Sequence, residues 1–151
     1  MNMDFKKGFT LIEIMVAITI IGVVFGVIIT SAGAIQRNSR DTKRKSDLSN
    51  IQGALEQYHA DAGYYPYNLP SSGSFKSDDG QKTYLQNVPV DPQTSNPYKY
   101  DGYTNDGLTL CVGPSDCVNY CLYADLENTP TQDPSTTCTP PAGYNYYVTQ
   151  P

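Results

Sequence analysis

The chain has no tryptophan and a single histidine, His59, among its 151 residues. No serine or cysteine nucleophile is suggested beside His59, so we expect an exposed helix residue there rather than a catalyst. Charged residues make up 17% of the chain, too few for a coiled-coil rod, and the net charge of −5 argues against a general nucleic-acid binder. Phosphate-binding loops and convincing pairs of catalytic carboxylates are also missing. The sequence therefore predicts a protein that is not an enzyme.

Charge is absent from Ile14 to Gln36, a run of 23 residues that are mostly Ile, Val, Ala, Met or Phe. As an α-helix this run would be about 35 Å long, enough to cross the hydrocarbon core of a bilayer. A buried core helix could be equally apolar, but it would need other hydrophobic elements around it, and the rest of the chain is polar. The run therefore predicts a membrane span.

Beyond a short basic segment that follows the apolar run, apolar residues recur at helical spacing. Four apolar residues recur every three or four positions and form one stripe on an otherwise polar helix: Leu48, Ile51, Leu55 and Tyr58. Gly63 and Pro66 end this helix, because glycine favours the position just after a helix and proline cannot continue one. No helix breaker separates the apolar run from the stripe, so the sequence predicts one helix from about Thr10 to Ala62.

The region 64–151 is rich in turn-forming residues that separate short runs bearing tyrosine and valine. This pattern predicts strands at Tyr98–Tyr103, Asn119–Glu127 and Tyr144–Thr149. In the second strand two sets of residues alternate, Tyr120, Leu122, Ala124 and Leu126 against Cys121, Tyr123, Asp125 and Glu127. The alternation predicts a half-buried strand whose first set faces the helix stripe. The expected fold class is α+β, a long N-terminal α-helix with a small antiparallel sheet packed on its C-terminal half.

The N-terminus differs from an ordinary secretory signal, because the only small-residue cleavage site ahead of the apolar run is Gly8. A cut there would leave the apolar helix in the mature protein. The segment K-G-F-T-L-I-E-I-M-V-A-I-T-I-I-G closely resembles the prepilin signal of type IV pilins and type II secretion pseudopilins. The resemblance implies cleavage by a prepilin peptidase between Gly8 and Phe9, with N-methylation of Phe9 and 143 mature residues.

Glu13 carries the one carboxylate near the apolar run, and such a group is costly in lipid unless it is neutralised or paired. The free amine of Phe9 on a neighbouring subunit is a suitable partner, and the resemblance implies that this pair sets the axial register of the filament. Alternatively, Glu13 lies among lipid headgroups and is simply hydrated.

Gly22 and Gly26 form a G-x-x-x-G motif that permits close approach of a second helix. Many family members have a proline where this chain has Thr30.

Motifs further along the chain also look like major pseudopilins of the secretion type and related short pilins. They are D-A-G-Y-Y-P (61–66), Y-L-Q-N-V-P-V-D-P (84–92), N-P-Y-K-Y (96–100) and Y-A-D-L-E-N (123–128). Four regions follow: a leader at 1–8, a hydrophobic transmembrane or filament-core helix at 9–36, an amphipathic helix at 37–63, and a tyrosine-rich, cysteine-bearing region at 64–151. The 13 tyrosines are expected to pack the sheet and subunit contacts, with surface adhesion as the alternative use.

The function that the resemblance implies is that of a structural subunit of a type IV pilus-like extracellular filament, assembled through its N-terminal helix. The alternative is a pseudopilin of a type II secretion or competence DNA-uptake system, and a third hypothesis is an uncleaved membrane-anchored binding domain. Expected partners are other copies of the chain, the prepilin peptidase, an inner-membrane assembly platform and minor pilins, with no specific nucleic acid. The precursor would cross the inner membrane once, and the filament would lie at the cell surface or in the periplasm.

A basic segment and four cysteines complete the candidate residues. The segment either pairs with acidic groups of adjacent subunits or forms a solvated helix face; it contains Arg37, Arg40, Lys43, Arg44 and Lys45, interrupted by Asp41. An even number of cysteines in an extracytoplasmic domain predicts two disulfides, with three connectivities open: Cys111, Cys117, Cys121 and Cys138. Their spacing fits no zinc template.

No cofactor and no metal is expected. The oxygen-rich stretch from Asp101 to Gly107 could hold calcium, but Tyr103 occupies the third position, where a calcium loop needs Asp or Asn. An ordinary turn is the favoured interpretation. The calcium loop of major secretion pseudopilins lies near the C-terminus and is not recognisable here. Its absence and the four cysteines favour a surface pilin over a pseudopilin.

Overall fold

The computed structural model describes residues 8–107, 109–113, 116–129 and 138–151, and gives the backbone alone for 27–32. The chain divides into two compact units, Met1–Gln36 and Arg37–Pro151. The described elements are helix α1 (Leu11–Ala62) and strands β1 (Phe75–Lys76), β2 (Thr83–Leu85), β3 (Lys99–Tyr103), β4 (Asn119–Ala124) and β5 (Tyr146–Thr149). The α+β prediction is confirmed.

Helix α1 is continuous, and both of its ends have a local cause. At its start the N–H of Glu13 donates to the carbonyl oxygen and to Oγ1 of Thr10, at 3.2 and 3.3 Å. At its end the N–H of Gly63 donates to the carbonyl of His59 at 2.8 Å, with φ of 81° at Gly63. Glycine adopts this left-handed conformation without steric cost, so the chain leaves the helix there.

Two antiparallel sheets follow the helix, a β1–β2 pair and a three-stranded sheet in the order β3-β4-β5. In the larger sheet Gly102 lies opposite Tyr120, and Leu122 lies opposite Val148. The three predicted strands are confirmed with shorter bounds, and β4 ends at Ala124 rather than Glu127. The β1–β2 pair was not predicted, because strands of two and three residues are too short to show a period.

The core of the second unit lies between helix α1 and strand β4. It contains the predicted helix stripe together with the predicted inward set of β4, all buried: Leu48, Ile51, Leu55, Tyr58, Tyr120, Leu122, Ala124 and Leu126. Side chains of this size contribute about 1.5–3 kcal/mol each when they are fully buried. The packing of the helix stripe on this set therefore supplies a large part of the apolar burial that holds the unit together.

The opposite face of β4 is also buried, so the half-buried prediction for this strand is wrong. Cys121 and Tyr123 have no exposed surface and pack with Cys138 and Tyr147. Cys121 forms a disulfide with Cys138, which draws a distant segment over this face. The periodicity of one strand could not reveal this cover, because the covering residues come from another strand and from a covalent crosslink.

Buried tyrosine hydroxyls donate to carboxylates on helix α1. Tyr65 and Tyr120 each lie 3.0 Å from an oxygen of Glu56, and Tyr98 lies 3.0 Å from Asp47. Burial raises the pKa of all three tyrosines, and the adjacent carboxylate raises it further. The polar end of each ring is thus satisfied inside the protein, while the ring itself fills the core.

We expect the second unit to lose stability as the pH rises above about 10, the pKa of a tyrosine in an unfolded chain. Because the pKa of the buried tyrosines is raised on folding, the unfolded chain releases its protons first and is favoured at high pH. A combined titration of tyrosinate absorbance and circular dichroism should show ionisation and unfolding together. Ionisation of every tyrosine near pH 10, with an unchanged circular dichroism spectrum, would contradict this expectation.

The second disulfide, Cys111–Cys117, lies against strand β3 at Gly102. A Cβ atom at Gly102 would lie 2.8 Å from Sγ of Cys111 and 3.2 Å from Sγ of Cys117. A carbon atom cannot approach sulfur so closely without displacing it. Glycine is therefore required where the strand passes the crosslink, and the two observed pairings select one of the three possible connectivities.

We expect Gly102→Ala to lower the free energy of unfolding by about 1–3 kcal/mol, because the added methyl group overpacks the disulfide. The matched control is Gly53→Ala on helix α1, where nothing lies within 4 Å of the added carbon. That change should raise stability by about 0.5–1 kcal/mol, since alanine favours a helix. Urea unfolding of the full chain measures the change in free energy of unfolding for each substitution. Equal effects of the two substitutions would show that the close contact at Gly102 does not destabilise the alanine variant.

Candidate assembly segment and the ionic network

The N-terminal part of helix α1 presents an exposed apolar surface. Phe9 is 81% exposed and Leu11 is 78% exposed. The same holds for most large side chains that follow, each at least half exposed in the single chain: Ile12, Ile14, Met15, Val16, Ile18, Ile20, Ile21, Val23, Val24 and Phe25. A continuous apolar surface of this kind is typical of an interaction site. We call residues 9–26 the assembly segment.

A membrane span was also predicted in this part of the chain. Across the residues that the structure describes, no helix combines the length and the hydropathy needed to cross a membrane.

Glu13 has a local role that the sequence interpretation missed. It is the third residue of the helix, and Thr10 lies at the N-cap position with its Oγ1 accepting the N–H of Glu13. The order T-L-I-E therefore has the spacing of a capping box, and a carboxylate in the first turn also interacts favourably with the helix dipole. Among the described residues Glu13 forms no ion pair. Its pairing with the amine of Phe9 on another subunit stays a prediction.

The remaining candidates of the N-terminal region are open to solvent. Gly8 and Phe9 lie exposed in the non-helical stretch before helix α1, whereas the rest of the leader, 1–7, lies outside the described residues. No atom lies within 4 Å of a Cβ built on Gly22 or Gly26. Within the part of the chain that the structure describes, no contact requires glycine at these two positions, and their proposed role in helix packing concerns a second copy.

The basic segment behaves differently from either prediction, because two of its arginines are bound within the chain. The side chain of Arg44 is only 3% exposed. It donates to Oδ2 of Asp91 at 2.6 Å, to Oδ1 of Asp41 at 2.9 Å and to Oε1 of Glu127 at 3.1 Å. Arg44 is therefore neither a solvated charge nor free to pair with another subunit.

Arg40 and Asp41 complete the arrangement. Arg40 binds both carboxylate oxygens of Glu127, at 2.5 and 2.6 Å. Asp41 accepts the backbone N–H groups of Glu127 and Asn128, each at 2.9 Å. We call Arg40, Asp41, Arg44, Asp91 and Glu127 the ionic network. The sequence signal that could have found it is the acid at position 41, which lies one helical turn before Arg44 and on the same face.

The charges in the ionic network stabilise one another. Burial alone would raise the pKa of Asp91, but the hydrogen bond from Arg44 and the N–H groups of Thr94 and Gln93 outweigh burial and lower the pKa to about 2. Burial would likewise raise the pKa of Asp41, yet its hydrogen bonds from Asn128, Glu127 and Arg44 lower it. Both carboxylates are thus ionised at neutral pH.

The other basic residues remain near the surface. Lys43 pairs with Asp47, and Nζ of Lys45 lies 5.5 Å from the centre of the Tyr146 ring. Arg37 is exposed and forms no ion pair with the described residues. Arg37 is therefore a suitable control for Arg44, since it carries the same guanidinium group but lacks the ion pairs that Arg44 forms.

His59 is half-buried rather than exposed, because its ring stacks on Tyr65 with 4.5 Å between the ring centres. The stretch from Asp101 to Gly107 begins in strand β3 and continues into a turn, in which Asp106 accepts the hydroxyl of Thr104 at 2.7 Å. In the part of the chain that the structure describes, no three His, Cys, Asp or Glu residues are grouped to hold a metal ion.

Comparison with known proteins identifies the N-terminal segment and the family of the chain. Residues 3–29 match the model of the prokaryotic N-terminal methylation motif. The type II secretion system core protein G of Pseudomonas aeruginosa is 31% identical over 104 residues, 63% of this chain and 72% of that protein. The core protein G of Escherichia coli is 29% identical over 98 residues, 59% of this chain and 68% of that protein.

A fimbrial protein of Neisseria meningitidis is 29% identical over 85 residues, 56% of this chain and 50% of that protein. No solved structure matches the chain. The methylation motif accounts for the N-terminal segment, while the similarity to core protein G extends far beyond it. The chain belongs to the family of the type II secretion system core protein G, a pseudopilin.

Proposed function

We propose that this chain is a structural filament subunit that is cut between Gly8 and Phe9, methylated at Phe9 and assembled through residues 9–26. The observation that carries the proposal is the exposed apolar surface of the assembly segment directly after a methylation motif. A single chain cannot bury this surface, whereas neighbouring copies can. Each Ile, Val, Leu or Phe side chain that becomes buried contributes about 1.5–3 kcal/mol.

The filament is of the secretion pseudopilus type. The similarity to core protein G spans 72% of the Pseudomonas aeruginosa protein, whereas the similarity to the fimbrial protein spans 50% of that protein. A surface pilus is the second candidate, supported by the fimbrial relative and by two disulfides that staple the distal region. In both cases the chain acts by assembly and carries out no catalysis.

The proposed partners are other copies of the chain, a prepilin peptidase, an inner-membrane assembly platform and minor pilins. Contacts between copies join two different surfaces, and because the rotation from one copy to the next does not close a ring, they produce an open helical filament. The precursor is anchored in the inner membrane, and the filament lies outside the cytoplasm. No cofactor is required for this function.

Mass spectrometry of the native cells tests the proposal. We expect the mature chain to begin at N-methyl-Phe9 and to be present both in membranes and in a short periplasmic filament. Recovery of an abundant, mature chain from filaments sheared off the cell surface would favour the pilus. A chain that keeps residues 1–8 in cells with an active prepilin peptidase would overturn the proposal.

The two roles of Glu13 can be separated by substitution. Glu13→Gln keeps a side chain that suits a capping box but removes the negative charge. We expect it to abolish filament formation, because the amine of Phe9 on the next subunit then lacks an ionic partner. Filament yield, measured by electron microscopy and immunoblotting, should fall below about a tenth of the wild-type yield, the change that a lost charged hydrogen bond produces.

Thr10→Ala is the matched control, because it removes the N-cap hydroxyl and leaves the charge of Glu13 in place. Loss of a cap costs about 1 kcal/mol of local helix stability, so filaments should still form. Filaments that persist with Glu13→Gln but vanish with Thr10→Ala would assign Glu13 to capping alone.

A further inference from the structure

One stretch of helix α1, residues 37–47, is attached to the rest of the second unit through charged and polar side chains. Residues 37–47 contain no apolar side chain, and the first apolar core residue of the unit is Leu48. The hydrophobic effect therefore contributes little to holding this stretch in place, in contrast to the stripe that follows it.

Two distant segments of the chain are fastened to this stretch. One is the turn after Asp91, whose carboxylate binds Arg44 and also caps the N–H groups of Gln93 and Thr94, at 2.9 and 2.8 Å. The other follows strand β4 and is held by Asp41 through the N–H groups of Glu127 and Asn128. Both segments are held in place by charged side chains that come from neighbouring turns of helix α1.

We propose that the ionic network is a latch that releases residues 37–47 from these two segments while the apolar core of the second unit stays closed. The latch consists of charges and hydrogen bonds, which weaken when a partner is neutralised, whereas the core consists of apolar contacts, which do not. The two zones lie next to each other on one helix and respond to different conditions. This proposal does not depend on the proposed function.

Neutralisation of the carboxylates opens the latch. The groups that face one another are Arg40, Asp41, Lys43, Arg44 and Asp47 from the helix, Asp91 and Glu127 from the two segments, and Tyr98, whose hydroxyl binds Asp47. The pKa of Asp41, Asp91 and Glu127 is lowered on folding, so their contribution is complete above about pH 4.5 and is lost as the pH falls toward 2. The arginines stay charged throughout this range.

Opening frees the turn after Asp91 and the segment after strand β4 from residues 37–47. When the latch is released, residues 37–47 keep their backbone hydrogen bonds within the helix and lose only their attachment to the rest of the unit. Such sub-global opening is expected where few apolar contacts cross an interface. The two segments can move away from the helix without exposing the core between helix α1 and strand β4.

Amide hydrogen exchange of the full chain in detergent micelles, resolved by NMR, tests the latch at neutral pH. We expect Arg44→Gln to accelerate exchange of the amides of Glu127 and Asn128 about 10-fold or more, since it removes the charged hydrogen bonds to the carboxylates of Asp41, Asp91 and Glu127. Exchange of the β4 amide of Leu122 should be unchanged. The control Arg37→Gln removes an exposed arginine and should change neither set of amides.

Two results would overturn the proposal. An equal acceleration at Leu122 would mean that the ionic network and the core open together, and an absence of acceleration at Glu127 and Asn128 would mean that the network does not hold the segment. If Arg44→Gln fails to fold, the wild-type chain is compared at about pH 6 and about pH 3, with exchange corrected for the intrinsic pH dependence. The same two amides should then lose protection before Leu122 does.

Discussion

The packing of helix α1 on strand β4 is the contact on which the rest of the second unit depends. Leu48 and Ile51 meet Leu122 in a core that also buries the rings of Tyr58 and Tyr120. Strand β4 is central in its sheet, so β3 and β5 are positioned through it. Because its outer face is closed by the Cys121–Cys138 disulfide, β4 is shielded on both sides, and the small sheet gains a core that its polar sequence alone would not supply.

The fold was largely predictable because its main signals are local. A stripe at helical spacing, a helix stop at Gly63 and the inward-facing residues of β4 each require only a short window of sequence, and each is found in the structure. The methylation motif is equally local, since its meaning lies in the order of residues around Gly8. The long helix and the order of its regions could therefore be derived without coordinates.

The ionic network was missed because it joins residues that lie far apart in the chain. Arg44 meets Asp91 and Glu127, which lie 47 and 83 positions away. A run of basic residues looks the same in sequence whether its charges are solvated or buried, because burial is decided by the partner segments. The cover over the outer face of β4 is hidden for the same reason. Sequence periodicity reports which side of an element is apolar, but not what will lie against it.

Helix α1 changes composition twice along its length: it is uncharged and mostly apolar from Ile14 to Gln36, wholly polar in 37–47, and has an apolar stripe from Leu48 onward. The apolar part of the helix stays exposed in a single chain, whereas the apolar stripe is already buried in the core of the second unit. A polar stretch, residues 37–47, separates these two hydrophobic surfaces along the helix. The ionic network explains how a stretch without apolar side chains can nevertheless be held in place, because ion pairs fasten it to the carboxylates of Asp91 and Glu127.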